Sequence, residues 1–251
     1  MKAISHFLTL SAIGATALVM PFNSQAVQAA SVSYSANTGD FSTTNWTKAL
    51  NIQKFDTKLG TLTGVVFSLT GDIQGTVKAE NESNKAATIT TELKSSLKLS
   101  SADIFGLPLI ETVPLYQAVQ SVGKYDGKRD FGGTSGFSSG LLSATKTDTK
   151  TYDSTNPFFS FISQAVSGSG NINFTLDALG LSTATGSGNI TSNFTNLAKA
   201  GLTVTYNYDA APVPPGPPAG VPEPNEVLGG LVAIFLGVKF RNRFRQAKIS
   251  A

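Results

Sequence analysis

The sequence predicts an all-β protein: an antiparallel β-sandwich, jelly-roll-like, followed by a short C-terminal hydrophobic helix. Three observations carry this. Apolar and polar residues alternate with a period of two over several long stretches. Polar and Gly-rich turns separate those stretches. Helical periodicity is nearly absent from the middle of the chain, so the strands must bury their apolar faces against each other.

The clearest alternation covers 63–80. Thr63, Val65, Phe67, Leu69, Ile73, Val77 and Ala79 share one parity, and Ser68, Thr70, Asp72, Gln74, Thr76, Lys78 and Glu80 share the other. Gly71 and Gly75 fall on the apolar parity and predict a bulge or sharp bend. A polar turn at 81–85 leads into 87–99, where Ala87, Ile89, Leu93, Leu97 and Leu99 alternate with Thr88, Thr90, Glu92, Lys94 and Lys98. The two strands read as one long hairpin with a buried face. A helix fits only around 101–116, where Pro108 and Pro114 restrict it. In the last third Ile172, Phe174 and Leu176, then Ile190 and Phe194, then Leu202, Val204, Tyr206 and Tyr208 mark further strands. The segment 167–175 echoes 185–195, both running Gly-Ser-Gly-Asn-Ile. Two copies do not make a solenoid, and the expectation is two paired strands of one sheet, each entered through a Gly-rich turn.

Composition limits what this sandwich can be. The chain has 251 residues, 41% hydrophobic and 14% charged, with one His and no Cys. About 180 residues can bury a sizeable core without disulfides. The missing cysteines exclude a thiol nucleophile and thiolate-bound zinc or iron–sulfur clusters. The formal net charge of +3 arises at the ends, because 31–220 holds 13 basic against 14 acidic residues. No basic face is available to neutralise phosphates, so no nucleic-acid partner is expected.

Both ends read as targeting segments. Residues 1–30 form a secretory signal peptide: Lys2 supplies the positive start, Phe7 to Phe22 the apolar run, and Ala29 and Ala30 the small-residue cleavage site for signal peptidase. The sandwich then occupies 31–209. Residues 210–220 carry five of the 11 prolines and form a semi-rigid spacer. The last part, 221–251, begins with Pro222, Glu223 and Pro224, continues with an apolar run at 227–238, and ends with Lys239, Arg241, Arg243 and Arg245. Twelve residues cover about 18 Å as a helix, short of the ~30 Å hydrocarbon core, so the segment suits transient residence in the inner membrane. Its cations stay cytoplasmic, which places 31–220 outside.

The order of spacer, Pro-Glu-Pro, apolar run and basic tail over 221–245 resembles the PEP-CTERM sorting signal of Gram-negative bacteria and cyanobacteria. The resemblance implies processing by an exosortase, an integral-membrane transpeptidase, and release to the cell surface or extracellular matrix. A second resemblance covers about 32–208. Phe55-Asp56-Thr57-Lys58-Leu59-Gly60-Thr61-Leu62-Thr63, Leu69-Thr70-Gly71, Glu80-Asn81-Glu82-Ser83, Tyr125-Asp126-Gly127, Asp130 to Gly136, Gly186-Ser187-Gly188-Asn189 and Val204 to Tyr208 are similar to the choice-of-anchor E domain. That family implies an exported, surface-destined β domain and supplies no catalytic residue.

Motifs with chemical potential fail on context. Gly136-Phe137-Ser138-Ser139-Gly140 has the nucleophile-elbow spacing, but the only His, His6, lies in the leader, so no serine triad forms. Ser95 and Lys98 have S-x-x-K spacing in an alternating strand, where they point to opposite sides. Glu80 with Glu82, and Asp126 with Asp130, are expected to be exposed turn carboxylates rather than an acid–base pair. Calcium is the one metal the oxygen-rich chain could hold, and Asp126, Asp130, Asp148 and Asp153 would be its ligands. Their spacing matches no EF-hand pattern, so no metal site is assigned, calcium at the 123–156 loop stays open, and no cofactor is expected. The chain reads as a non-enzymatic surface or matrix protein. The alternative is a carbohydrate-binding module for extracellular polysaccharide, with Trp46, Tyr116, Tyr125 and Tyr152 as its aromatics and Trp46 expected in the core.

Overall fold

A computed structural model describes residues 28–104, 106 and 108–212. The leader up to residue 27, the sorting motif, the apolar run and the basic tail lie outside the described residues. Twelve strands form two antiparallel sheets. The first contains β1 (Ala29–Asn37), β2 (Ser42–Thr43), β4 (Gly60–Asn81), β8 (Gly136–Ser138), β9 (Leu142–Asp153) and β12 (Ile190–Ala210). The second contains β3 (Trp46–Gln53), β5 (Ala87–Ser100), β6 (Pro108–Thr112), β7 (Leu115–Val122), β10 (Asn171–Gly180) and β11 (Thr183–Gly186). The long strands alternate between the sheets along the chain, giving the jelly-roll-like sandwich that the alternation predicts.

β12 lies at the centre of the first sheet. It pairs with β4 along its whole length and with β1 and β2 on its other edge. The buried parity of β4 is the predicted one: Val65, Phe67, Leu69, Ile73, Val77 and Ala79 are all at most 1% exposed. The first five face Leu93, Leu97 and Leu99 of β5 and Phe174 and Leu176 of β10 in one core, while Ala79 packs with Ala87, Ile89 and Val122 in a smaller cluster. The Phe67 ring meets Phe174 edge-on at 5.7 Å and Tyr152 at 5.8 Å, an arrangement favoured by the ring quadrupoles. The outer face is a hydroxyl ladder, with Ser33 to Thr205 at 2.7 Å and Thr70 to Thr147 at 2.8 Å.

Four expectations are corrected. β4 and β5 do not form a hairpin: they lie in opposite sheets, joined by an arch at 82–86. Alternation is the same for a hairpin and for two strands facing across a core; here the arch is fixed by buried Asn81, whose amide nitrogen donates to the Lys85 and Gly123 carbonyls at 2.8 Å. The echoed segments likewise lead into different sheets, β10 and β12, although Gly170 (φ 84°) and Gly188 (φ 91°) do turn the chain as expected. Gly71 and Gly75 make no bulge, and the ladder runs in register through both; the shift comes between Asn207 and Tyr208. Those glycines serve close packing, because a Cβ at Gly71 would strike Leu97 and Thr112, and one at Gly75 the Thr195 carbonyl. The segment 101–116 holds a one-turn 3-10 helix (Ala102–Ile104), β6 and the start of β7, while the one α-helix among the described residues, α1 (Phe159–Val166), lies elsewhere. It follows Pro157 and buries Ile162 and Val166, one turn apart, on the core.

Two tyrosines tie the sheets together. The Tyr206 hydroxyl (β12) donates to the Gln53 carbonyl (β3) at 3.0 Å, and the Tyr152 hydroxyl (β9) donates to the Leu109 carbonyl (β6) at 2.9 Å. Burial holds both phenols above the usual tyrosine range, with the neighbouring Tyr34 adding to the effect at Tyr206. A raised folded-state pKa gives stability that is complete below the unfolded value, about 10, and is lost as pH rises beyond it. Tyr206→Phe is therefore expected to cost about 1 kcal/mol at pH 7, from the lost hydrogen bond, yet to flatten the loss of stability above pH ~10. Urea midpoints of both proteins at neutral and alkaline pH check this; parallel alkaline slopes would show that Tyr206 does not govern it.

Candidate functional site

The predicted cleavage residues open β1. Ala29 lies opposite Asp209 and Ala30 opposite Tyr208, and the Ala210 amide donates to the Gln28 carbonyl at 2.9 Å. The chain thus enters and leaves the sandwich side by side, at one end of adjacent strands. Among the described residues no helix is long and apolar enough to cross a membrane.

Glu80 and Glu82 form a latch at the far end of β4. Glu80 is fully buried rather than exposed. The alternation cannot show this, because the loop between β7 and β8 folds over the strand end. Glu80 accepts from the Phe131 amide at 2.7 Å and from the Ser135 hydroxyl at 2.5 Å, and Phe131 is held at φ 56°. Glu82, also expected to be exposed, is largely covered, with 11% of its side chain accessible. It pairs with Arg129 and accepts from the Thr191 hydroxyl at 2.6 Å and from Asn189 at 3.1 Å. The Thr191 bond, then Arg129, holds its carboxyl below the usual range. Every oxygen of Glu80 is therefore spent on loop structure, and Glu82 is neutralised by its own ion pair. No general acid and base face a common space here.

The four aspartates do not converge. Asp126 and Asp130 turn back on the Lys128 and Gly132 amides within the β7–β8 loop. Asp148 pairs with Lys146 at 3.1 Å on β9, and Asp153 accepts from Thr155 at the end of that strand. Asp153 lies opposite Gly64, whereas the latch loop lies against Glu80; that stretch of β4 is roughly 50 Å long. Among the described residues no group of three or more His, Asp or Glu could hold a metal ion. Ser138 ends β8 with no helix after it, and the Ser95 hydroxyl is buried, donating to Asn196 at 3.1 Å.

The aromatics are also separated. Tyr152 is in the core. Trp46, expected inside, is half-buried against that core, with Lys48 over its ring at 4.9 Å and its indole nitrogen unpaired among the described residues. Tyr116 stands on β7, with β5 and β10 between it and β3, roughly 14 Å away. Tyr125 lies in the latch loop, where its amide donates to the Ser83 carbonyl at 2.8 Å.

A cleft that the sequence did not reveal opens beside β12. It measures about 490 Å³ and is lined by Thr43 at the end of β2, Thr44 and Asn45 of the turn after it, Gly180 and Ser182 around the β10–β11 turn, and Phe194 to Leu197 of β12. Asn196 braces it from beneath, donating to the Lys94 carbonyl at 2.8 Å and the Ser182 hydroxyl at 2.9 Å. Its residues come from three distant segments, and none stands in a motif, so only the fold assembles them.

No protein-family model matches the chain, and no curated protein is similar to it. Among solved structures the chain is similar to the infectious bursal disease virus VP2 subviral particle, at 12% identity over 80% of this chain and 42% of that one, with a TM-score of 0.22. It is also similar to the Gx strain of that virus, at 8% identity over 72% and 37% of the two chains, with a TM-score of 0.17. The chain spans less than half the length of either structure, and similarity this loose carries no argument about ligand or assembly.

Proposed function

We propose that this chain is a non-enzymatic exported protein of the bacterial cell surface or extracellular matrix, whose C-terminus is removed by an exosortase-type transpeptidase. The observation that carries the reading is the order of Pro-rich spacer, Pro222-Glu223-Pro224, apolar run and basic tail at the end of the chain. Proline restricts φ, so a Pro-Glu-Pro sequence is expected to offer an extended segment with one carboxylate between two rings. The apolar run and the cations after it hold this site at the outer boundary of the inner membrane. The sandwich fits the reading because its core closes in a chain without cysteine, hence without disulfides, and because β12 ends at Ala210, where the spacer begins.

Intact mass and cell fractionation in a host with the exosortase test it. The wild-type product is expected to begin at Ala30 or Ser31 and to lack roughly residues 225–251. Glu223→Ala should leave a species that keeps its C-terminus in the inner membrane, and deleting 239–248 should misorient or release the precursor. A wild-type protein that keeps its tail and stays membrane-bound would make the segment an ordinary tail anchor and end the sorting proposal.

A further inference from the structure

We propose that the cleft beside β12 is a binding site for a neutral saccharide. The proposal is independent of the export reading, since it rests only on the fold.

The cleft's size, about 490 Å³, falls within the ~300–1,000 Å³ typical of small-ligand sites. Its chemistry is selective. No ionisable side chain lines it, so a charged ligand would lose its hydration without gaining a counter-charge. What lines it is a set of neutral polar groups with capacity left over. The Ser182 oxygen already accepts from the Lys94 amide at 3.2 Å and from Asn196 at 2.9 Å, which leaves its hydroxyl proton to donate outward. The Asn45 carbonyl oxygen accepts from the Gly180 amide at 3.2 Å, which leaves its NH₂ as a donor. The hydroxyls of Thr43 and Thr44 carry no hydrogen bond among the described residues and both donate and accept. The edge of β12 adds a backbone pair: the Asn196 carbonyl accepts from the Thr44 amide at 3.0 Å, so two residues earlier the Phe194 N–H and C=O point to the same side, past the end of β2. Phe194 and Leu197 supply apolar surface beside these groups.

A sugar has this same composition. It carries no charge, its hydroxyls donate and accept alternately, and its C–H face packs on apolar or aromatic surface. The site is also pre-organised, which lowers the ordering cost of binding. Asn45 is locked at φ 68°, Gly180 packs so closely that a Cβ would lie 2.6 Å from the Thr44 hydroxyl, and buried Asn196 fixes Ser182. The wall residues therefore sit on hydrogen-bonded turns and not on free loops.

The test is titration of the purified full-length protein with four neutral tetrasaccharides, built from glucose, galactose, mannose and N-acetylglucosamine, followed by amide chemical shifts. An oligo-uronate and an uncharged octapeptide serve as comparison ligands. At least one neutral tetrasaccharide is expected to bind, with shifts concentrated at Thr44, Asn45, Ser182 and Phe194. Thr44→Val, which removes a hydroxyl and keeps its shape, should weaken binding about tenfold. Thr43→Arg, at an exposed position on the rim, should abolish it with the thermal midpoint unchanged. Lys78→Asp, remote from the cleft, should bind as wild type does. Failure of all four tetrasaccharides overturns the proposal. So does binding whose shifts map to Tyr116 or Tyr125, equal binding of the oligo-uronate, or preferential binding of the peptide, which would make the β12 edge a strand-docking site.

Discussion

Phe67→Asp is expected to unfold the sandwich outright. The ring is fully buried in the middle of β4, wedged edge-on between Phe174 of the opposite sheet and Tyr152 of the neighbouring strand. Removing a buried phenylalanine costs about 3–5 kcal/mol, and a carboxylate without a partner in its place adds several more. Together these match the ~5–15 kcal/mol that holds a whole domain. Lys78→Asp, on the exposed parity of the same strand, should change stability by no more than about 0.5 kcal/mol. Circular dichroism and urea titration of the two variants decide the matter. Similar behaviour in both would mean that the faces of β4 are misassigned.

The second large effect is expected at Glu80. Glu80→Ala leaves the Phe131 amide and the Ser135 hydroxyl without their acceptor in a buried setting. Bonds to a carboxylate are worth about 1.5–3 kcal/mol each, so the loss is on the order of 3 kcal/mol or more. Its consequence should be local before it is global, since the β7–β8 loop packs only on this end of β4, where the Asn81 bonds to Ser135 and Gly123, the Tyr125–Ser83 bond and the Arg129–Glu82 pair also hold it. Trypsin is the reporter: Lys124, Lys128 and Arg129 lie in that loop. Cleavage there should accelerate at least tenfold while Lys78 and Lys94, within strands, stay protected. Unchanged loop cleavage would show that Arg129 and Glu82 hold the loop without Glu80.

The strands were legible because burial in a sheet leaves a period of two in the residue types, and Val65 to Ala79 keep it almost without fault. Which strands pair was not legible. A hairpin partner and a partner across the core impose the same pattern on Leu93, Leu97 and Leu99, and only the arch at Asn81 distinguishes them. The glycines illustrate a second limit. Gly71 and Gly75 were correctly placed on the inner face, but their reason, the approach of Leu97 and the Thr195 carbonyl, belongs to other segments. α1 was missed because eight residues offer barely two turns of periodicity, and Phe158 and Phe161 leave its outer face apolar too. The buried state of Glu80 and the walls of the cleft depend on loops closing over strand ends, which no local pattern records.

The central place of β12 also fixes when this fold can complete. A chain that emerges from its N-terminus at ~5–20 residues per second presents β1 first and β12 last. Yet β1, β2 and the whole length of β4 have β12 as their neighbour, and Ser33 meets Thr205 across 172 residues. Until residue 210 is out, the first sheet lacks its middle, and β4 can pair only with β8 and β9. Such distant pairings close slowly. The nascent chain can therefore pair the strands of its second sheet early, but its first sheet closes only once its last strand arrives.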